Sequence, residues 1–270
     1  MPLYIKPYAF IFLRVLGATL IFWFAELFLK TQKIDKDDYK KILWASFFGV
    51  ALNMFAFFKG LSLTSPKSAS VMMVTSPIIV LLFSRILVRS AIGKRRILGV
   101  FIGLLGAILL ITFGNSPNVN NWKSNWGNFL VFVNTTSYRL YLVLAKSLIA
   151  KYKPIVFIKW LYLFGLIFVI PFSYHEVSDI VWQGFPKNMY WNISFVIIFT
   201  ACVTYLFNLY GLSKLKPTTV SVFIYLLPVI ATIYALINGS DSLNLIKISA
   251  TFIIFLGVYL VTKQVEKSTK

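Results

Sequence analysis

The sequence predicts an all-α integral membrane protein built from an inverted repeat of helices, and three observations support this prediction. The 270 residues are 59% hydrophobic and only 13% charged, with a mean hydropathy of +0.79. Apolar residues form long runs, and about 20 helical residues suffice to cross a bilayer core. Two stretches of the chain also match each other at a constant offset of 151 residues.

Nine apolar segments are long enough to span a membrane as helices. Their continuous hydrophobicity favours helices over the strands of an outer-membrane barrel, in which apolar and polar residues would alternate. The predicted spans are residues 8–29, 39–60, 68–89, 95–113, 126–149, 155–173, 190–213, 218–238 and 245–262.

The basic residues near the span ends are distributed unequally over the two sides of the predicted membrane. Seventeen lie on one side and six on the other. Because Lys and Arg accumulate in cytoplasmic loops, we expect the C-terminus and the loop at residues 89–96 in the cytoplasm and the N-terminus outside. The membrane is then the inner or plasma membrane. The net charge of +19 follows from this topology, so we expect no nucleic acid among the partners.

The internal repeat runs without a gap through both halves of the chain. The residues Gly60, Leu61, Ser62, Pro66, Ser70, Val71, Pro77, Ile79 and Gly106 recur as Gly211, Leu212, Ser213, Pro217, Ser221, Val222, Pro228, Ile230 and Gly257. Matched, Pro-interrupted helices in two halves are typical of transporters with a site at the membrane midplane. We place the two units at residues 1–114 and 125–263. The distribution of basic residues places the Gly-Leu-Ser loop of the first unit outside and that of the second unit inside. The two units are therefore predicted to have opposite orientations in the membrane.

The second unit has five predicted spans, whereas the first has four. Lys6-Pro7 before the first span matches Lys153-Pro154 before the sixth. The chain therefore begins in the loop that would follow an opening helix. We favour a truncated reading frame over a molecule with one span fewer.

Several motifs resemble those of EamA-type transporters of the drug/metabolite transporter superfamily. In the first unit they are Pro7, Arg14, the run from Gly60 to Pro77, and Gly99, Gly103 and Gly106. In the second unit they are Pro154, Gly211, Leu212, Pro217, Ser221, Pro228 and Gly257. The resemblance implies ten helices in two inverted five-helix repeats around a central cavity, and transport of small metabolites, often export. The chain departs from the family at Ser90 and Asp241, where a Glu is common.

Pro77 and Pro228 are predicted to kink their helices, since proline lacks an N–H and clashes with the carbonyl four residues earlier. The carbonyls of Met73 and Ile224 are then free and need a partner in the membrane. We interpret the matched prolines as hinges beside the transport pathway. Simple packing kinks are the alternative.

Hydroxyl and amide side chains near these prolines form the predicted substrate cavity, because such groups fix a polar ligand without a buried charge. Hydrogen bonding between helices is the alternative for each residue alone. The cavity candidates are Asn53, Ser70, Thr75, Ser76, Thr204, Asn208, Ser221 and Tyr225.

Arg14 and Arg139 lie deep within apolar spans, where a guanidinium is costly and therefore functional by default. We add both to the cavity as candidates for binding an anionic substrate group, with snorkelling to the interface as the alternative. Lys159 lies nearer an interface and is expected to snorkel. Glu26 and Asp241, at span ends, are interpreted as solvated carboxylates.

We therefore expect a secondary transporter, an exporter or carrier, that moves a small polar metabolite through the bilayer by alternating access. A non-transporting scaffold or binding protein is the alternative. We expect no enzyme, because His175, Glu176 and Asp179 match no catalytic or metal motif. No cofactor and no metal site are predicted, and the sequence leaves a homodimer open.

Overall fold

The computed structural model describes residues 5–28, 32–64, 66–87, 93–112, 122–238 and 245–262, and every regular element within these ranges is helical. The first half contains α1 (Pro7–Glu26), α2 (Lys36–Ser46), a π-helical segment (Phe47–Ala51), α3 (Leu52–Leu63), α4 (Pro66–Val74), α5 (Ser76–Leu87) and α6 (Lys94–Thr112). These elements combine into four of the predicted spans.

The second half contains α7 (Trp122–Lys151), α8 (Pro154–Ser178), a 3-10 turn (Trp182–Gly184), α9 (Lys187–Phe195), a π-helical segment (Val196–Val203), α10 (Thr204–Lys214), α11 (Pro217–Val222), a 3-10 turn (Phe223–Tyr225), α12 (Leu226–Ile237) and α13 (Leu245–Thr262). They combine into five spans. The all-α prediction is confirmed for the described residues, where the nine predicted spans correspond to nine helical segments.

The helix boundaries repeat with the same offset as the sequence motifs. The starts of α2 and α9, of α4 and α11, and of α6 and α13 are each 151 residues apart, as are the ends of α3 and α10. Each half also has its π-helical segment at the same point of the same span. The Tyr205 hydroxyl donates to the Gly49 carbonyl in the first segment, and the Tyr162 hydroxyl donates to the Ala201 carbonyl in the second.

Proline begins several helices and breaks others. Pro7, Pro154 and Pro217 occupy the first turn of α1, α8 and α11, where the missing N–H costs nothing. Pro77 lies in the first turn of α5, after a break at Thr75, so the predicted single helix is two helices. The carbonyl of Met73, freed by this proline, accepts a hydrogen bond from the Ser76 hydroxyl.

Three helix pairs make the most extensive contacts, namely α6 with α13, α3 with α7, and α1 with α8. Glycine allows the closest approach between α6 and α13. A Cβ atom on Gly257 would lie 2.5 Å from the backbone nitrogen of Gly103, and one on Gly99 would lie 2.9 Å from the Gly257 carbonyl oxygen. Small residues at such crossings let two backbones touch within a bilayer.

Five segments of the described chain are long and apolar enough to cross a membrane, by length and composition: Pro7–Glu26, Lys36–Leu63, Pro154–Ser178, Asn188–Lys214 and Pro217–Tyr234. The long helix α7 is not among them, because it carries Asn134, Thr135, Ser137 and Arg139 near its middle. These four side chains are buried. The polar face of α7 thus lies inside the bundle, whereas Trp126, Phe129 and Phe132 of the same helix are exposed.

Ion pairs tie the ends of the helices together. At one end of the bundle Lys151 binds Asp35 at 2.5 Å and Asp38 at 2.7 Å, and at the start of α1 the exposed Lys6 binds Asp179 at 2.7 Å. The hydrogen bond from Lys6 lowers the pKa of the Asp179 carboxyl.

The interpretation of Glu26 as a solvated carboxylate and of Lys159 as a snorkelling cation is wrong. Glu26 is 7% exposed and Lys159 is 8% exposed, and the two side chains form an ion pair between α1 and α8. The ammonium of Lys159 also lies 4.7 Å from the centre of the Trp23 ring. A buried charge without a partner is strongly unfavourable, and here each residue supplies the other's partner.

Candidate functional site

The polar face of α7 forms one wall of a cavity inside the bundle. Asn134, Thr135, Tyr138 and Arg139 lie within about one and a half turns of this helix. The cavity has a volume of about 220 Å³. Its other walls come from α1, α3, α4 and α10, so both halves of the chain contribute to it. The lining residues are Arg14, Asn53, Met54, Phe57, Phe58, Met73, Asn134, Thr135, Tyr138, Arg139 and Tyr205.

Two asparagines join α3 to α7 at the edge of this cavity. The side-chain amide of Asn53 donates to the Asn134 carbonyl at 3.3 Å, and the amide of Asn134 donates to the Asn53 carbonyl at 2.9 Å. These two reciprocal hydrogen bonds fix the position of α3 relative to α7. Tyr205 is anchored by the hydrogen bond of 3.0 Å from its hydroxyl to the Gly49 carbonyl, and its ring centre lies 6.0 Å from that of Tyr138.

Two arginines face this cavity without a carboxylate partner among the described residues. The Nε atoms of Arg14 and Arg139 are buried and make no hydrogen bond there, and neither guanidinium belongs to an ion pair. Arg139 is 8% exposed, and its guanidinium carbon lies 5.0 Å from the centre of the Tyr138 ring. The guanidinium of Arg14 lies 5.5 Å from the centre of the Phe58 ring.

A second, wider cavity of about 410 Å³ lies on the other side of Tyr138 and Arg139. Thr204, Asn208 and Ser221 line it, together with apolar residues of α10, α11 and α12. The Asn208 amide donates to the Tyr138 hydroxyl at 3.0 Å. Tyr138 and Arg139 therefore form the partition between the two cavities, and Asn208 holds the tyrosine in place.

The structure brings six of the ten predicted cavity residues to these two cavities. Arg14 and Asn53 line the first, Thr204, Asn208 and Ser221 line the second, and Arg139 lines both. Their role in binding a substrate stays a prediction.

The other four predicted residues are not among the lining residues of either cavity. Ser70 is half-buried on α4. Thr75 and Ser76 donate their hydroxyls to the carbonyls of Met72 and Met73 at the helix break. Tyr225 is fully buried between α6 and α13 and donates to the Val100 carbonyl at 3.0 Å. The hydroxyls of Thr75, Ser76 and Tyr225 therefore satisfy backbone carbonyls.

The predicted hinge prolines lie at breaks in matching spans. Pro77 follows the break between α4 and α5, and Pro228 lies in the first turn of α12, after the 3-10 turn at Phe223–Tyr225. Both halves therefore have an interrupted helix at the matching proline. That the helices bend at these interruptions stays a prediction. Asp241 lies outside the described residues.

Sequence reasoning missed the four other polar residues that line the first cavity, namely Asn134, Thr135, Tyr138 and Tyr205. The first three could have been found by following the face of α7 back from Arg139 at helical spacing. Tyr205 could not, because its position depends on how α10 packs across the bundle. Within the described ranges, no group of three His, Cys, Asp or Glu side chains could hold a metal ion.

The model of the EamA-like transporter family matches residues 1–112 and 125–263 of the chain. The chain belongs to the EamA-like transporter family. It is therefore a multi-pass integral membrane protein and a membrane transporter, and the resemblance seen in the sequence is confirmed.

Similar proteins agree with this assignment. The chain is 28% identical over 261 residues to a protein of Archaeoglobus fulgidus named an uncharacterized transporter, covering 97% of this chain and 90% of that relative. It is 24% identical over 202 residues to the uncharacterized transporter YyaM of Bacillus subtilis, covering 75% of this chain and 66% of that relative. A solved crystal structure has the same fold with a TM-score of 0.77 at 17% identity, covering 96% of this chain and 89% of the other.

Proposed function

We propose that this protein is a secondary transporter that moves a small polar metabolite by alternating access through the cavity between its two halves. The observation that carries the proposal is this cavity itself, which is lined by buried and half-buried polar and cationic groups from α1, α3, α7 and α10. Polar groups inside a membrane protein are expensive, and they concentrate where substrates pass. Both halves supply them, as a rocking mechanism about a central site requires.

The matching helix breaks supply the joints of this mechanism. The spans that contain Pro77 and Pro228 are each interrupted at the same relative position. Such a break lacks some backbone hydrogen bonds, so it bends at lower cost than a continuous helix. Movement at the two breaks would open the cavity alternately to the two sides.

The proposed orientation follows from the distribution of basic residues. The C-terminus and the loop at residues 89–96 lie in the cytoplasm, in an inner or plasma membrane, and the partners are the lipid bilayer and the transported small molecule. Export fits this arrangement as well as uptake does, and a homodimer is compatible with it.

A non-transporting scaffold is the second candidate. One observation favours it, namely that the second cavity is wide and lies against the exposed side chains of Thr204, Phe207 and Phe223. A transport pathway must be closed to one side at a time, and within the described residues this cavity opens at the surface of the bundle. The two candidates differ in whether a solute crosses the membrane at all.

Transport by vesicles that contain the purified protein tests the proposal. The vesicles are loaded with a panel of labelled amino acids, nucleosides, sugars and organic acids, and loss of label is compared with protein-free vesicles. We expect at least one class to cross, and we expect Thr135→Phe, which fills the first cavity, to stop it. The matched control is Thr262→Phe at the end of α13, which should leave transport unchanged. Retention of every solute, or equal transport by Thr135→Phe, would reject the proposal.

A further inference from the structure

The geometry points to an organic anion as the ligand of the first cavity, with its carboxylate or phosphate group bound between Arg14 and Arg139. This inference rests on the proposed function, because it names the substrate class of the same cavity. Of the two cations, Arg139 is buried and Arg14 is half-buried, although the Nε atom of each is buried.

The acidic side chains of the described residues are all engaged or exposed elsewhere. Four of them form ion pairs: Glu26 with Lys159, Asp179 with Lys6, and both Asp35 and Asp38 with Lys151. Glu176 accepts hydrogen bonds from the backbone N–H groups of Tyr8 and Ala9. Asp37 is exposed at the start of α2. None of them lines the cavity that Arg14 and Arg139 share. The cavity therefore holds two positive charges that the described part of the chain does not neutralise.

The cost of these charges indicates a ligand. A charge taken out of water is unfavourable unless it is paired and hydrogen-bonded, as Glu26 and Lys159 are. Arg139 is more than nine-tenths buried, and its Nε–H is unused, as is that of Arg14. The planar guanidinium fork matches the oxygens of a carboxylate or phosphate, so an oxyanion satisfies the charge and the free donors together.

The remaining walls favour an organic anion over an inorganic one. Met54, Phe57 and Phe58 form an apolar surface beside the arginines. The amides of Asn53 and Asn134 each use one N–H on a backbone carbonyl, and the two guanidiniums are the positively charged donors among the described residues that line the cavity. A molecule with an oxyanion at one end and an apolar body fits this arrangement, and about 220 Å³ suits a small metabolite.

Arg139 has a position that Arg14 does not share. Arg139 forms the partition between the two cavities together with Tyr138, and it lines both of them. It can therefore keep contact with an anion that moves from one cavity to the other. We expect loss of Arg139 to weaken binding at least as much as loss of Arg14.

The test measures binding of three probes of similar size by the purified full-length protein. The probes are benzoate, phenyl phosphate and uncharged benzamide, at constant ionic strength, and binding is read from the rise in unfolding temperature followed by the fluorescence of the seven tryptophans. We expect at least one of the two oxyanions to bind and benzamide not to bind. Comparing benzoate with phenyl phosphate shows whether the site takes a carboxylate or a phosphate.

Arginine variants then locate the site. Arg14→Gln and Arg139→Gln should each raise the Kd of the bound oxyanion by about tenfold to a hundredfold, because a charge-assisted hydrogen bond is lost. The exposed Arg85→Gln is the matched control and should bind as the unaltered protein does. If a Gln variant does not fold, Arg14→Lys or Arg139→Lys keeps the charge without the planar fork and should bind with intermediate affinity.

The outcomes separate this inference from the proposed function. Binding of neither oxyanion, equal binding of benzamide, or unchanged binding by both Gln variants would overturn the anion site. Anion binding that depends on the arginines, without solute transport in vesicles, would support this inference and reject the transport proposal. Transport of an uncharged solute that is unchanged in Arg14→Gln and Arg139→Gln would support the transport proposal and reject the anion site.

Discussion

One face of α3 is covered by another helix, whereas the equivalent face of α10, its counterpart in the second half of the molecule, is exposed. On α3, Asn53, Ala56 and Gly60 lie on one face toward α7, whereas their counterparts 151 residues later, Thr204, Phe207 and Gly211, form the same face of α10. Ala56 is 4% exposed and Phe207 is 70% exposed. A Cβ atom on Gly60 would lie 3.0 Å from the Gly127 carbonyl oxygen on α7, whereas one on Gly211 would meet nothing within 4 Å.

The difference shows which properties each half determines alone. The helix boundaries, the π-helical segments and the proline breaks agree between the halves, so they follow from local sequence. Burial does not agree, because it depends on α7, which packs on the first face. Within the described residues no helix packs in the same way on the second face. The polar groups of the first half therefore line a small cavity, whereas those of the second half line a wide one.

Substitution of the paired glycines gives the largest expected contrast. Gly60→Leu should lower the stability by roughly 1–3 kcal/mol, because its side chain collides with the backbone of α7. Gly211→Leu should leave stability unchanged or raise it by up to about 1 kcal/mol, since Leu is the better helix former and the space is open. The unfolding temperature in detergent measures both variants.

The double variant serves as the control for this comparison. If the two sites are independent, the changes should add. Equal loss of stability from Gly60→Leu and Gly211→Leu would mean that a helix covers both faces, and the contrast between the halves would be wrong.

Substitution of the paired polar residues gives a smaller contrast. Asn53→Ala removes a hydrogen bond to α7 and should lower stability by about 0.6 kcal/mol, the usual value for such a bond between membrane helices. Thr204→Ala removes only a bond to the Phe199 carbonyl within its own span, so its effect should be smaller. Unfolding by increasing concentrations of a denaturing detergent resolves differences of this size. A larger loss of stability from Thr204→Ala than from Asn53→Ala would contradict the contrast between the two faces.

Much of the fold could be predicted from the sequence because membrane spans are read from local composition. The nine spans and the positions of the repeated motifs needed only hydropathy and spacing. Arg14 and Arg139 could be selected because a guanidinium within an apolar run is conspicuous in the sequence.

The contacts across the bundle could not be predicted in the same way. The reciprocal bonds of Asn53 and Asn134, the pair of Glu26 and Lys159, and the anchor of Tyr205 on Gly49 join residues 81, 133 and 156 positions apart. Such pairs depend on helix packing, which hydropathy does not contain. Ser76 is a different case, because its hydroxyl donates to the carbonyl of Met73, three residues earlier, and its role in the cavity stays a prediction.

The charge preference of the first cavity tests the central claim most directly. Thr135→Cys places a thiol in its wall, in a Cys202→Ala background that removes the chain's one native cysteine. The rates of labelling by negatively and positively charged methanethiosulfonate reagents are each divided by their rates with free cysteine. We predict that the thiol reacts, that the negative reagent is favoured, and that adding Arg139→Gln reduces this preference. A thiol that does not react, or that favours the positive reagent, would contradict an aqueous, anion-binding cavity between Arg14 and Arg139.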